Sequence, residues 1–465
     1  MTCDPGKPNN KHMKRLTHFS IFVMGMLILS QCDPSISERT PESGTADFSS
    51  YVAVGNSLTA GYSDNALHRD GQLNSFPAII GAQMHQAGGG DFLQPLVQPG
   101  VGSNSSGQAR LVLTITIGPD GSPALSPVPA ASQGQNIFAD NQTGPFNNMG
   151  VPGARTYHIV TEGYGNRAAG PGNYNPFFTR FKSDANASVL GDAMMAQPTF
   201  FTLWIGNNDI MAYATSGGSG DPDGGMGSND ITPGSVFTQS VQAIVGTLTS
   251  GGAKGAVINI PDVTNIPFFT TVPWNGLHLT PEQAAALRQG YEAQGVPESM
   301  IPDFQQGANG FVIEDPESPV GFRMAESGEF ILLSVPQASL QTEGWGSTTP
   351  ISDEYTLREP QVLSVRGTIL EFNEVLESVA SGAGLAFVDI DAHLSTLIPP
   401  SLGVFDGLRL STEYVLGGVF SLDGVHMTER GAAMVANVVI EEINHHYGST
   451  LSPVNISAYQ GVQFP

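Results

Sequence analysis

Five short apolar runs punctuate the chain: "YVAV" from Tyr51, a weak one at "NNMG" from Asn147, "FFTLW" from Phe200, "GAVINI" from Gly255 and "LAFVDI" from Leu385. Each is flanked by glycine, proline or asparagine and lacks polar alternation, which predicts strands buried on both faces. Two stretches instead follow a helical period. Val365, Ile369, Phe372, Leu376 and Val379 recur at spacings of four and three before Gly382 and Gly384. Ala432, Val435, Ala436, Val439 and Ile443 recur in the same way between Thr428, an N-cap residue type, and Gly448, a stop. Strands alternating with helices predict an α/β fold with a mostly parallel sheet covered on both sides. The folded domain is expected to begin near Phe48 and to reach residue 450, with 451–465 as a tail.

Composition narrows the classes. The 465 residues are 40% apolar and only 13% charged, enough for a large core, and the 56 glycines and 33 prolines imply many turns and loops. With 42 acidic against 18 basic side chains the net charge is -24, which argues against nucleic acid or an anionic lipid surface as partner. At the N-terminus Lys11, Lys14 and Arg15 precede "FSIFVMGMLIL", an apolar run that suits a signal peptide and is too short to span a bilayer. The run ends in "LSQC", which resembles a bacterial lipobox, although Gln31 stands where a small residue is usual. Residues 1–32 are thus expected to form a lipoprotein signal with Cys32 as the lipidated residue; a plain secretory peptide is the alternative. Cys3 would be lost with the signal, leaving Cys32 no disulfide partner. Residues 33–47, including the polar "ERTPESGTA", are expected to be a tether. The protein is then exported and held by its lipid anchor alone, at the outer membrane or surface of a Gram-negative bacterium, or is secreted or periplasmic if the anchor is absent.

Candidate chemistry lies where apolar strands end, because ligands of open parallel sheets bind beyond the carboxyl ends of the strands. Ser57 follows the first strand between Gly55 and Gly61. A nucleophilic serine needs a base and the base an orienter, and His426 with Asp423 in "SLDGVHMTERG" would supply both from one turn. Acyl transfer also needs donors for the oxyanion, each contributing roughly 3 kcal/mol. Gly153 in "NNMGVPGART" and Asn208 in "FFTLWIGNNDI" stand at two further strand exits. Taken singly, each of these pieces also reads as an ordinary turn or cap.

In this order the pieces resemble the GDSL esterase and lipase family, the SGNH hydrolases: "GNSLTAG", "GVPGA", "IGNND" and "DGVH" match its four blocks. The resemblance implies Ser57 as nucleophile, His426 as base, Asp423 as its orienter, and an oxyanion hole of the Ser57 N–H, Gly153 and Asn208. It also implies a flavodoxin-like three-layer α/β/α sandwich around a five-stranded parallel sheet. The activity implied is cleavage of a carboxylic ester, on a small molecule or a glycan, through an acyl-enzyme and without a metal or other cofactor. Deacetylation of a glycan, or glycan or lipid binding without catalysis, are the alternatives, and the oligomeric state stays open. Three positions depart from the pattern: Asn56 for aspartate, Asn207 for glycine and Met427 for proline.

Three segments exceed the family's minimal plan. Residues 86–147 hold two extended runs around Pro119-Asp120-Gly121, predicting a β-hairpin. The acidic "GGSGDPDGGMGSND" fits no EF-hand, since Met226 stands where glycine is needed, and is expected to be a solvated loop. Residues 271–352, with Trp274, Leu277, Phe304, Phe311 and Phe322, are expected to form a cap whose aromatic area lines a substrate pocket; a packed decoration that stabilises the sheet edge is the alternative.

Overall fold

The computed structural model describes residues 1–2, 40–118, 121–137 and 142–465. The expected signal segment with Cys32, most of the expected tether, and Pro119 and Asp120 of the hairpin turn lie outside the described residues. The chain divides into two units, Met1–Thr40 and Pro41–Pro465, and every described strand and helix belongs to the second.

The strands of that second unit are β1 (Tyr51–Gly55), β2 (Leu111–Ile117), β3 (Pro123–Pro129), β4 (Asn148–Gly150), β5 (Phe200–Trp204), β6 (Lys254–Ile258) and β7 (Ala386–Val388), besides short pairs within 271–357 and 403–410. Five of them form one sheet in the order β7-β6-β5-β1-β4, every pairing parallel. These five fall on the five apolar runs. Every residue of β1 and β5 is buried, and because successive side chains point to opposite faces, both faces must be covered.

Helices supply the cover. Those that bear on the core and the site are α1 (Ser57–Ala60), α2 (Phe76–Gln86), α3 (Asn208–Thr215), α4 (Gly234–Thr249), α5 (Glu359–Gly382) and α6 (Glu429–Tyr447). Phe76 of α2 meets Trp204 edge-on at 5.3 Å, and Tyr447 of α6 meets Phe200 at 5.5 Å. Phe200 and Trp204 are four residues apart on one strand, so α2 and α6 cover the same face. Helices α4 and α5 pack on each other through Phe237 stacked on Phe372, ring centroids 3.7 Å apart. Removing either buried ring would cost about 3–5 kcal/mol. The result is an α/β fold with a five-stranded parallel sheet flanked by helices, an arrangement compatible with a three-layer sandwich. The predicted helix signals operate: Thr428 Oγ1 accepts the Gly431 N–H at 3.0 Å, and Gly448 closes α6 at φ 65°.

Two boundaries differ from expectation. The polar stretch from Glu42 is docked, not free: Thr45 N–H donates to the Tyr447 carbonyl at 2.9 Å, Thr450 N–H to Glu42 at 2.9 Å, and Lys254 Nζ to the Thr45 carbonyl at 2.6 Å. The end of α6 leaves carbonyls unpaired, and this segment satisfies one of them. Beyond residue 450 the chain is also packed, with Leu451 and Ile456 buried and Asn437 exchanging two 2.8 Å hydrogen bonds with Val454. Short polar contacts of this kind leave no periodicity to read.

The two long segments are folded. Strands β2 and β3 form an antiparallel hairpin from Leu111 opposite Pro129 to Ile117 opposite Pro123. The 271–352 segment has cores of its own, around Ile313, Ile331 and Ile351 and around Tyr291, Phe304 and Val312. Its expected pocket-lining side chains are used there: Phe304 and Phe311 are buried, and Trp274, Leu277 and Phe322 pack against these cores. Arg323 bridges Asp315 at 2.7 Å and Glu329 at 2.6 Å, and Arg358, next to α5, reaches Asp315 at 2.8 Å. The acidic loop is likewise tied down, since the Asp230 carboxylate accepts the N–H groups of Asp221 and Gly227 at 2.9 and 2.6 Å.

Candidate active site

The chain leaves β1 through Gly55, where a Cβ would collide with the Thr59 side chain and the Trp204 carbonyl. Glycine therefore lets α1 fold back tightly over the strand end. Asn56 caps that single turn, its side-chain oxygen accepting the Leu58 N–H at 3.0 Å, and Gly61 ends it in the left-handed conformation at φ 76°. Because β1 lies between β4 and β5, its carboxyl end is the switch point where connections diverge, the usual crevice of such sheets. Ser57 and Asn208 leave the two adjacent strands there.

His426 reaches Ser57 from the loop before α6. Its Nε2 lies 2.9 Å from Ser57 Oγ, and its Nδ1 lies 2.9 Å from Asp423 Oδ2. Asp423 is held from every side. Oδ2 also accepts the Asn65 N–H at 2.8 Å, while Oδ1 accepts the N–H groups of Val425 and His426 at 2.9 and 2.8 Å and the Ser421 hydroxyl at 3.2 Å. Burial alone would raise its pKa, but the charge and hydrogen bonds of His426, with the loop N–H groups, hold the carboxyl well below the usual range. Ionised, Asp423 can only accept, so the imidazole carries its proton on Nδ1. Nε2 then offers its lone pair to the Ser57 hydroxyl.

Side chains without a recognisable motif build the shell around this line. Asp64 and Asn65 both adopt left-handed φ, 51° and 59°, in a tight turn closed by reciprocal bonds between Ser63 and Ala66. That turn is clamped to the histidine loop: Asp64 N–H donates to Ser421 Oγ at 2.9 Å, and Leu422 N–H donates to Asp64 Oδ1 at 3.0 Å. Desolvation pushes the Asp64 carboxyl up to about 6, against the Leu422 hydrogen bond. The Tyr62 ring packs on His426 with centroids 4.7 Å apart. The available signal was the Asp-Asn pair itself, a residue choice that tolerates left-handed backbone.

Across the crevice, the Val151–Ala154 turn carries Pro152 and Gly153 at its centre, with Gly153 at φ 81° and the Ala154 N–H bonded to the Val151 carbonyl at 3.0 Å. A Cβ on Gly153 would approach only Asn175 Nδ2, at 3.8 Å, so conformation and not space selects glycine. Asn208 Nδ2 donates to the Ala154 carbonyl at 2.9 Å, which fixes the amide and leaves it a second N–H. Among the described residues the N–H groups of Ser57 and Gly153 have no hydrogen-bond partner. Ser57, His426 and Asn208 line one cleft; Gly153 is exposed on the loop that Asn208 holds and does not line it. Fully buried Asp209 secures the same loop, accepting the Thr156 hydroxyl at 2.7 Å and its N–H at 3.0 Å, with burial pushing the carboxyl up to about 6. Asn56 and Asn207, two of the positions that depart from the SGNH pattern, touch each other: Asn56 Nδ2 donates to Asn207 Oδ1 at 3.3 Å.

The cleft measures about 430 Å³, and apart from its polar end it is lined by apolar side chains, among them Leu58, Trp204, Met211, Ile266 and Phe268. No group of three or more His, Cys, Asp or Glu side chains is placed to hold a metal ion, and no helix is long and apolar enough to cross a membrane, among the described residues. No family model, no curated protein and no solved structure matches the chain.

Proposed function

We propose that the protein is a serine hydrolase of carboxylic esters, working through an acyl-enzyme. The observation that carries this reading is the continuous line from Ser57 Oγ through His426 to Asp423, with both links at 2.9 Å. Ser57 Oγ attacks the ester carbonyl while its proton passes to His426 Nε2, and Asp423 stabilises the imidazolium that results. The oxyanion is received by the free N–H of the Asn208 amide and the unpartnered N–H of Ser57, while Gly153, exposed outside the cleft, shapes the turn whose Ala154 carbonyl fixes the Asn208 amide. Collapse of the tetrahedral intermediate breaks the bond to the alcohol, which leaves with the proton from Nε2. Water then attacks the acyl-enzyme, returns a proton through Nε2, and the acid departs. The apolar cleft beside Ser57 suits the acyl half of the substrate.

The SGNH reading gains support from the strand order. Numbered among themselves along the chain, the sheet strands run 2-1-3-4-5, the flavodoxin-like order, with Ser57 at its switch point. Together with the four sequence blocks this makes an SGNH hydrolase of flavodoxin-like build our reading, exported and, through Cys32, anchored at a bacterial membrane surface. Turnover of p-nitrophenyl acetate by the purified protein tests the chemistry. Ser57→Ala and His426→Ala are each expected to lower kcat by on the order of 10⁴-fold, because members of a catalytic unit fail together. Unchanged rates in either variant would refute the assignment.

A further inference from the structure

Ser57 and His426 lie 369 residues apart in the chain, so no local geometry sets the 2.9 Å between them. The contacts that set it come from just beyond the nucleophile. Gly61 ends α1, and residues 62–66 then run against the loop that carries His426 and meet it three times. The Tyr62 ring lies against the imidazole, Asp64 is bonded to Ser421 and Leu422, and the Asn65 N–H donates to Asp423. From this geometry we infer that Asp64 is a positioning residue of the reaction, its carboxylate holding the histidine loop where Nε2 meets Ser57 Oγ.

The inference rests on the hydrolase reading for what is positioned. Asp64 bridges two parts of the molecule. Towards the histidine loop its N–H donates to Ser421 Oγ at 2.9 Å and its Oδ1 accepts the Leu422 N–H at 3.0 Å. Away from that loop its carbonyl accepts the Leu111 N–H, at the start of β2, at 2.8 Å. The turn is anchored further by its neighbours: Ser63 Oγ lies 2.8 Å from Nε2 of buried His68, and Leu67 and Ser103 exchange backbone bonds at 3.0 and 3.1 Å. The Ser63–His68 pair is an anchor and not a second nucleophile. Nδ1 of His68 accepts the Gly71 N–H at 3.2 Å, so the ring proton sits on Nε2 and is donated to Ser63, the reverse of what a general base does.

The bond to Leu422 is the one that reaches the chemistry. Asp423 follows Leu422 directly, so a shift there moves the carboxylate that orients the imidazole. The Leu422 carbonyl is tied by the Tyr414 hydroxyl at 2.5 Å, and Asp64 supplies the tie on its N–H. A misplacement of about 1 Å at a reacting group can cost about a hundredfold in rate. Asp64 also stands at φ 51°, a conformation that aspartate, asparagine and glycine tolerate. Asparagine keeps both the conformation and the acceptor, whereas glycine keeps the conformation alone, so the two substitutions separate the side chain from the backbone.

The test compares them on p-nitrophenyl acetate, well below the melting transition of each chain. Asp64→Gly is expected to lower kcat by about tenfold to a hundredfold with KM within about twofold, and Asp64→Asn to stay within about threefold of the wild-type kcat. Should Asp64→Gly not fold, Asp64→Ser, whose hydroxyl falls one bond short of the carboxylate oxygen, carries the same expectation. A wild-type kcat without the acceptor would overturn the inference, as would equal losses in the asparagine and glycine variants, which would make charge and not the bond to Leu422 the cause. A second measurement needs no turnover. The proton NMR signal of His426 Nδ1–H, shifted downfield by its bond to Asp423, is expected to move upfield in Asp64→Gly and to stay in place in Asp64→Asn. That pattern in a chain that hydrolyses no ester would uphold the positioning role and refute the hydrolase reading; a signal unmoved in Asp64→Gly would overturn the positioning role.

Discussion

Asp423 receives five donors on two oxygens, and that arrangement explains why a buried carboxyl in a loop stays ionised beside a histidine. Asp423→Asn would put an N–H where a donor already stands and favour the wrong imidazole tautomer, so kcat is expected to fall by on the order of 10³–10⁴-fold with folding retained. A near-normal rate would remove Asp423 from the mechanism. Asp64 behaves oppositely with pH. Its folded pKa of about 6 lies above the ordinary 3.8, so its contribution to stability is fully present below about pH 4 and is lost as the pH rises through 6. Asp64→Asn keeps the acceptor for the Leu422 N–H and the left-handed backbone. It is expected to flatten the pH dependence of the melting temperature between pH 4 and 7, and to stabilise by at most about 3 kcal/mol at neutral pH; an unchanged pH profile would show that Asp64 does not titrate there. The line from Ser57 to Asp423 was legible in the sequence because its chemistry demands particular side chains. The 62–66 turn was not, because Asn65 acts through a backbone N–H that any residue possesses.

At the scale of elements, the sheet was readable because strands buried on both faces appear as apolar runs, whereas Asn148–Gly150, buried but with Met149 as its one large apolar side chain, left only a weak signal. Helices α5 and α6 were readable because one face of each meets the core at helical spacing. The insertion was not, since its strands span two or three residues and pair across the chain, as Phe330–Ile331 does with Thr356–Leu357, leaving no period to detect. The same holds for the segment ahead of β1, expected as a tether and found docked from Glu42 onward. Gly44 tests that docking: its φ is 61°, and a Cβ there would run into the Tyr447 carbonyl and the backbone of Gly448 and Ser449. Gly44→Ala is expected to destabilise the fold by about 1–3 kcal/mol in thermal or urea unfolding. An unaltered midpoint would mean that residues 42–47 are a free tether after all.

At the scale of the whole molecule, a parallel sheet of modest size carries the Ser57–His426–Asp423 hydrogen-bond line at its switch point, and the two long insertions are folded beside it. The expected anchor makes a separate prediction: the mature chain purified from bacterial membranes should begin at Cys32 with a mass increment for attached acyl chains, and an unmodified chain beginning elsewhere would leave a soluble exported enzyme. The central claim is that His426, oriented by Asp423, makes Ser57 a nucleophile. Reaction with a fluorophosphonate, followed by peptide mass mapping, addresses it most directly, because the reagent forms a stable covalent bond with an activated serine oxygen. A single adduct on Ser57 is expected, forming in the wild-type protein and failing to form in His426→Ala; no adduct on Ser57, or one that forms equally fast without His426, would contradict the claim.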